Sequence, residues 1–177
     1  ILAASLFFIL MLRNAITDWV PIYLREMKGY SYAAAVSCVG IFDIGGTAGH
    51  LFAGWASDRL FKGKRIPLNV FFMIGLLVAL TCFWILPSSG LIDTSLMFVI
   101  GFCIYGPHML LGMAVVELSH KKAAGTASGF ASGWVAYVGA MFAGYPIGKI
   151  IDVWGWYGYF LTLAVSIFLV FLLIIPI

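Results

Sequence analysis

The chain has 177 residues, 63% of them apolar and only 10% charged, at a mean hydropathy of +1.08. Soluble domains run at about 25% charged and about 45–50% apolar, and a chain of this size has too little interior to hide the excess. Lipid is therefore the solvent for most of it, which excludes a cytosolic enzyme, a nucleic-acid binder and a disordered chain, and the small net charge of +3 says little about partners.

Charged residues punctuate the chain into six apolar stretches, at 1–24, 31–54, 66–87, 94–116, 125–149 and 156–177. Each is close to the ~20 residues that a bilayer core requires. The linkers are short, so neighbouring helices run antiparallel. A run such as Val70 to Leu86 carries no charge and is too long for a soluble strand. The expectation is an all-α membrane protein in which residues 1–177 form one six-helix transmembrane bundle. Both ends are already apolar, with no initiator Met and no basic leader, so the chain reads as a fragment.

Loop charges give the sidedness. The second and fourth loops hold Arg59, Lys62, Lys64, Arg65, Lys121 and Lys122; the others hold Arg25, Lys28 and Lys149. Positive loops stay inside, which puts loops 55–65 and 117–124 and both chain ends in the cytoplasm. Trp19, Tyr23, Tyr30, Trp154, Trp156 and Tyr157 mark the interface on the other side.

Taken in order, the first span carries Arg13 at its midpoint. A permanent cation at that depth is costly, and its planar fork of donors suits a phosphate or a carboxylate. Asp18 follows five residues on, about 140° round the helix, so neither residue is the other's natural partner. In the second span Asp43 and His50 lie seven apart on one face. They form either a proton relay or two separate helix contacts. No third ligand stands in register for a metal, and no metal or other cofactor is expected.

The third and sixth spans hold no ionisable residue in their cores and read as lipid-facing. In the fourth, Gly106-Pro107 breaks the hydrogen-bond ladder, either as a hinge or as an ordinary kink. His108 then either donates to an anion or satisfies a neighbour, and Tyr105, like Tyr137 in the fifth span, offers a hydroxyl to a polar ligand or to packing. Gly45 and Gly49, then Gly125, Gly129 and Gly133, then Gly144 and Gly148 repeat at four-residue spacing and read as close helix contacts. Cys38, Cys82 and Cys103 read as small core residues. No nucleophile elbow or Walker motif appears, so an enzyme is not expected.

Four longer segments carry a resemblance. The segment Gly54-Trp55-Ala56-Ser57-Asp58-Arg59-Leu60-Phe61-Lys62-Gly63-Lys64-Arg65 resembles the Gly-x-x-x-Asp-Arg-x-Gly-Arg-Arg loop of the major facilitator superfamily, with two extra residues before the second Gly. Leu12-Arg13-Asn14-Ala15-Ile16-Thr17-Asp18-Trp19, Ile104 to Gly112, and Glu117 to Phe130 are similar to the organophosphate:phosphate antiporter family within it. The likeness is nearest to bacterial hexose-phosphate transporters and sensors and more distant to glycerol-3-phosphate transporters.

The resemblance implies the C-terminal half of a twelve-helix major facilitator fold in a bacterial inner membrane. It implies exchange of a sugar phosphate, hexose 6-phosphate foremost, for inorganic phosphate, with the missing N-terminal six-helix half as partner. Arg13 matches the arginine that grips phosphate, Tyr105 and Tyr137 match cavity tyrosines, and His108 joins them as a substrate contact. Asp18 matches an acid that pairs with a first-half lysine. Asp43 stands where relatives carry Glu and is grouped with Asp18 in gating or coupling. Gly54, Asp58, Arg59, Gly63, Lys64 and Arg65 form the cytoplasmic signature loop. Leu10 departs from a tyrosine found in some relatives, and the stretch Phe130 to Tyr137 is one residue longer than the family's pattern. The rival reading is a membrane receptor that senses extracellular hexose phosphate through the same site and speaks to a signalling partner.

Overall fold

The computed structural model describes residues 1–60 and 65–175; among them there are helices and no strand. Helix α1 (Leu2–Lys28) has 27 residues, about 40 Å of helix, which overshoots a ~30 Å hydrocarbon core. It stops at Gly29, whose φ of 71° returns its N–H to the Leu24 carbonyl. An L side chain is strained there, so glycine is the natural terminator. Ser31 then caps α2 (Tyr32–Arg59), accepting the Ala34 N–H on its hydroxyl. Helices α3 (Arg65–Ile85) and α4 (Gly90–Leu118) follow. The remainder is α5 (Ala124–Ser128), a π-helical segment (Gly129–Val135), α6 (Ala136–Ala143) and α7 (Tyr145–Ile174).

Among the described residues five helical stretches are long and apolar enough to cross a membrane, and the last, Ala124–Ile174, has 51 residues. At about 75 Å it is long enough to cross twice. Its contacts show that it runs along α1 in both directions. Gly139 packs on the Phe7 backbone and Gly148 on the Trp19 ring, so this part runs in the direction of α1. Trp156 then donates to Glu26 and Tyr159 donates to the Ala15 carbonyl, so the chain has turned back. The reversal sits at Gly155, with φ 65° and ψ −164°. Only glycine takes that backbone without strain.

Helices α2 and α4 form the tightest pair. A methyl on Gly45 or Gly49 would strike the Phe98 or Phe102 carbonyl, and one on Gly101 the Phe42 carbonyl. The seam expected from Gly45 and Gly49 is therefore a backbone-to-backbone contact. The expectation for Gly125, Gly129 and Gly133 is corrected: each faces open space within this chain, with nothing inside 4 Å of a built methyl. Gly129 and Gly133 fall in the π-helical segment, whose wider turn breaks the α-helical register of the four-residue spacing.

The apolar faces of α3 and of the second pass of α7 are bare at helical spacing. Phe71, Ile74 and Val78 line one, and Leu161, Val165, Phe168 and Leu172 the other. Hydrocarbon is the solvent that suits such stripes. Cys38 and Cys103 are buried and Cys82 half-buried, all as free thiols. Several boundaries move outward from those expected: α1 reaches Lys28, α2 reaches Arg59, and α4 covers Gly90–Leu118. Charged residues end the apolar stretch, yet the helix continues into the polar headgroup zone because its backbone bonds are internal.

Two ion pairs tie helix ends. Lys28 and Asp93, both almost wholly buried, meet at 2.5 Å. Lys28 also donates to the Phe83 carbonyl at the end of α3 and lies 4.5 Å over the Phe83 ring, while Tyr30 donates to the second Asp93 oxygen at 2.7 Å. Asp93 further accepts the Ser89 N–H, capping α4. At the opposite end, Arg65 of α3 pairs with Glu117 of α4 and donates to the Leu110 carbonyl.

Candidate functional site

Arg13, on the middle of α1, holds its guanidinium carbon 4.6 Å over the ring of Tyr105 from α4. A cation over an aromatic face is worth about 1–2 kcal/mol as water is excluded. Tyr105 is only 8% exposed. Its ring presses on Gly46 of α2, where a methyl would overlap it, and its hydroxyl donates to Asp43 at 2.6 Å. Arg13 and Asp43 are thus joined through one tyrosine and form no ion pair with each other. Among the described residues no carboxylate lies within ion-pair distance of Arg13; the ion pairs are Lys28–Asp93, Arg65–Glu117 and Lys149–Asp152. A guanidinium fork of this kind has the donor geometry to match a carboxylate or a phosphate.

The same tyrosine collects the histidines. The His50 ring meets Tyr105 edge to face at 5.1 Å, and His108, one turn beyond Tyr105 on α4, lies 6.2 Å from His50. So Asp43 and His50, seven apart on α2, do share a face, and that face is turned to Tyr105. A cavity of about 470 Å³ opens beside the imidazoles, lined also by Met109, Met113, Ser132 and, at its far end, Val116 and Glu117, the carboxylate that pairs with Arg65. Ser132 belongs to the π-helical segment, and its hydroxyl is buried without a hydrogen-bond partner among the described residues.

Other expected residues lie apart. Asp18 is exposed on α1 and forms no ion pair among the described residues. Tyr137 is 68% exposed and lines a separate groove of about 400 Å³ with Trp134, Val138 and Met141; nothing brings it to Arg13 within this chain. The stretch from Gly54 to Arg59 is the last part of α2, not a loop, with Asp58 and Arg59 exposed. Arg65 is committed to Glu117, so it clamps two helices instead of anchoring a loop at the lipid face. Gly63 and Lys64 lie outside the described residues. Helix α4 runs unbroken through Gly106-Pro107, where Gly106 makes room for the Phe72 ring.

Sequence reasoning missed the Lys28–Asp93 clamp and the place of Ser132. The clamp joins residues 65 apart, and only Asp93 in the first turn of α4 hinted at it.

Comparison with known proteins fits this geometry. The Major Facilitator Superfamily pattern matches residues 1–144. A "Probable hexose phosphate transport protein" of Chlamydia pneumoniae is 52% identical over 177 residues, covering 99% of this chain and 39% of that protein. The "Membrane sensor protein UhpC" of Escherichia coli (strain K12) is 42% identical over 167 residues, 94% of this chain and 38% of the relative. A "Glycerol-3-phosphate transporter" of Bacillus subtilis (strain 168) is 38% identical over 161 residues, 90% of this chain and 36% of the relative. The chain therefore spans under two fifths of the length of these curated relatives. With a pattern match over most of its length and a multi-pass apolar helical architecture, the chain belongs to the Major Facilitator Superfamily, whose members are integral membrane transport proteins and not enzymes.

Proposed function

We propose that this chain is the C-terminal half of a secondary transporter that exchanges hexose 6-phosphate for inorganic phosphate. The observation that carries the reading is Arg13: a guanidinium at mid-membrane, steered by Tyr105, with no acid neutralising it among the described residues. Such a group suits the doubly charged phosphoryl head shared by both substrates. Similarity to proteins named for hexose phosphate transport supports the sugar. The first half supplies the other face of the site, and the two halves rock about it.

Under this reading the protein lies in the bacterial inner membrane with segments 55–65 and 117–124 cytoplasmic, which agrees with the excess of Lys and Arg in those two segments, and both chain ends on the same side. Asp18, exposed and without a partner in this chain, pairs with a first-half lysine during part of the cycle, and Asp43 couples Tyr105 to the movement of α2. Tyr137 reaches ligand across the cleft between halves. The second reading, a receptor for hexose phosphate that acts on a signalling partner, is favoured by similarity to a protein named as a membrane sensor.

The test uses the full-length protein in phosphate-loaded vesicles. Labelled glucose 6-phosphate should enter against phosphate, and Arg13→Lys, which keeps charge but loses the fork, should reduce exchange at least tenfold. Near-normal exchange by that variant would remove Arg13 from the site. Tight binding without uptake in the unmodified protein would select the receptor.

A further inference from the structure

We infer that His50, His108 and Ser132 bind the hydroxyl-bearing end of the organophosphate whose phosphoryl group lies on Arg13. The inference rests on the reading above and adds the second pole of the ligand. Three separate elements, α2, α4 and the π-helical segment, deliver these side chains to one cavity of about 470 Å³. That volume is in the range of small-molecule sites. The cavity adjoins the Arg13–Tyr105 contact through His50, whose ring touches the same tyrosine at 5.1 Å.

The chemistry of the lining distinguishes the two poles. Arg13 presents donors only, which suits an anion. Neutral imidazole presents one donor and one acceptor, and a serine hydroxyl presents both. That mixed set fits sugar hydroxyls, which also donate and accept at once, better than it fits phosphate oxygens. Ser132 adds an unpartnered group: its hydroxyl is buried without a hydrogen-bond partner among the described residues, as are Ser57 Oγ and Asn69 Oδ1, and of these three Ser132 is the one that lines the cavity. The π turn is the device that places it. Gly112 lies opposite on α4, where a methyl would meet the Ser132 oxygen at 3.9 Å, an ordinary contact.

The experiment measures competition for labelled phosphate exchange in vesicles holding the full-length protein, with glucose 6-phosphate, glycerol 3-phosphate and phosphate as competitors. His50→Ala and His108→Ala should each lower the apparent affinity for glucose 6-phosphate relative to phosphate about tenfold, and Ser132→Ala about fivefold. His108→Gln, which keeps a donor and an acceptor, should hold that ratio within about twofold of the unmodified protein, so a folding defect cannot mimic the result. An unchanged ratio in the alanine variants, or an equal loss toward phosphate and glucose 6-phosphate, would overturn the inference while leaving Arg13 in place. Absence of any organophosphate exchange by the unmodified protein would instead overturn the proposed function, and this inference with it.

Discussion

Asp93→Asn isolates the energetics of the clamp at the end of α1. The carboxylate is fully buried and accepts from Lys28 at 2.5 Å, Tyr30 at 2.7 Å and the Ser89 N–H at 3.2 Å. The substitution keeps the volume but turns one acceptor into a donor facing other donors. It also leaves the buried Lys28 ammonium without a counter-charge, with only the Phe83 carbonyl and ring and a neutral amide beside it. Breaking a buried pair on one side costs about 3–5 kcal/mol, because an uncompensated charge stays behind. The exposed pair Lys149–Asp152, at 3.8 Å with both side chains more than half exposed, is the control; Asp152→Asn should cost under ~1 kcal/mol. Reversible unfolding of the full-length protein in mixed micelles, followed by tryptophan fluorescence, reads both. A loss below about 1 kcal/mol for Asp93→Asn would refute the argument. The double change Lys28→Met with Asp93→Leu removes both charges and should recover most of the stability. If it proves as unstable as the single change, the penalty belongs to lost attraction and not to an abandoned charge.

Three further outcomes follow from the geometry. Asp18→Asn should slow exchange while leaving phosphate binding intact, measured by exchange rate against equilibrium binding; a normal rate, or loss of binding as complete as with Arg13→Lys, would remove Asp18 from gating. Gly49→Ala puts a methyl into the Phe102 carbonyl and should cost about 1–3 kcal/mol in the same unfolding assay, whereas Gly40→Ala, which meets nothing, should be neutral or mildly stabilising. Burial, then the hydrogen bond to Asp93 and its charge, push the Tyr30 phenol up to about 12. An unfolded tyrosine titrates near about 10, so the folded chain holds a proton that the unfolded chain has lost. This contribution is whole below pH ~10 and drains away as pH rises toward ~12; Tyr30→Phe should flatten that part of the stability profile, and parallel profiles would refute the assignment.

The apolar stretches and the bare stripes on α3 and α7 were legible because hydropathy and helical period are local properties. The α2–α4 seam was legible from Gly45 and Gly49 for the same reason. Arg13, Asp43, Tyr105 and His108 stood out as polar groups in lipid, but their assembly around one ring did not. Tyr105 and Asp43 are 62 residues apart, and no local pattern announces a contact of that length. The Gly125 stripe misled because spacing gives a face and not its occupant. The segment from Gly54 to Arg59 misled differently: charge ends a hydrophobic span without ending a helix.

The paired clamps on α4 have a mechanical meaning. Asp93 near its first turn is bolted to α1 and α3, and Glu117 near its last turn is bolted to the start of α3. A rod fixed at both ends cannot swing; under load it bows, and it bows where it is softest. In α4 that place is Pro107, which lacks the N–H that would stiffen the turn before it. Tyr105 and His108 flank this weak point on either side. Tyr105, against the Arg13 guanidinium, and His108, on the cavity, therefore sit beside the turn of α4 that lacks one of its backbone hydrogen bonds.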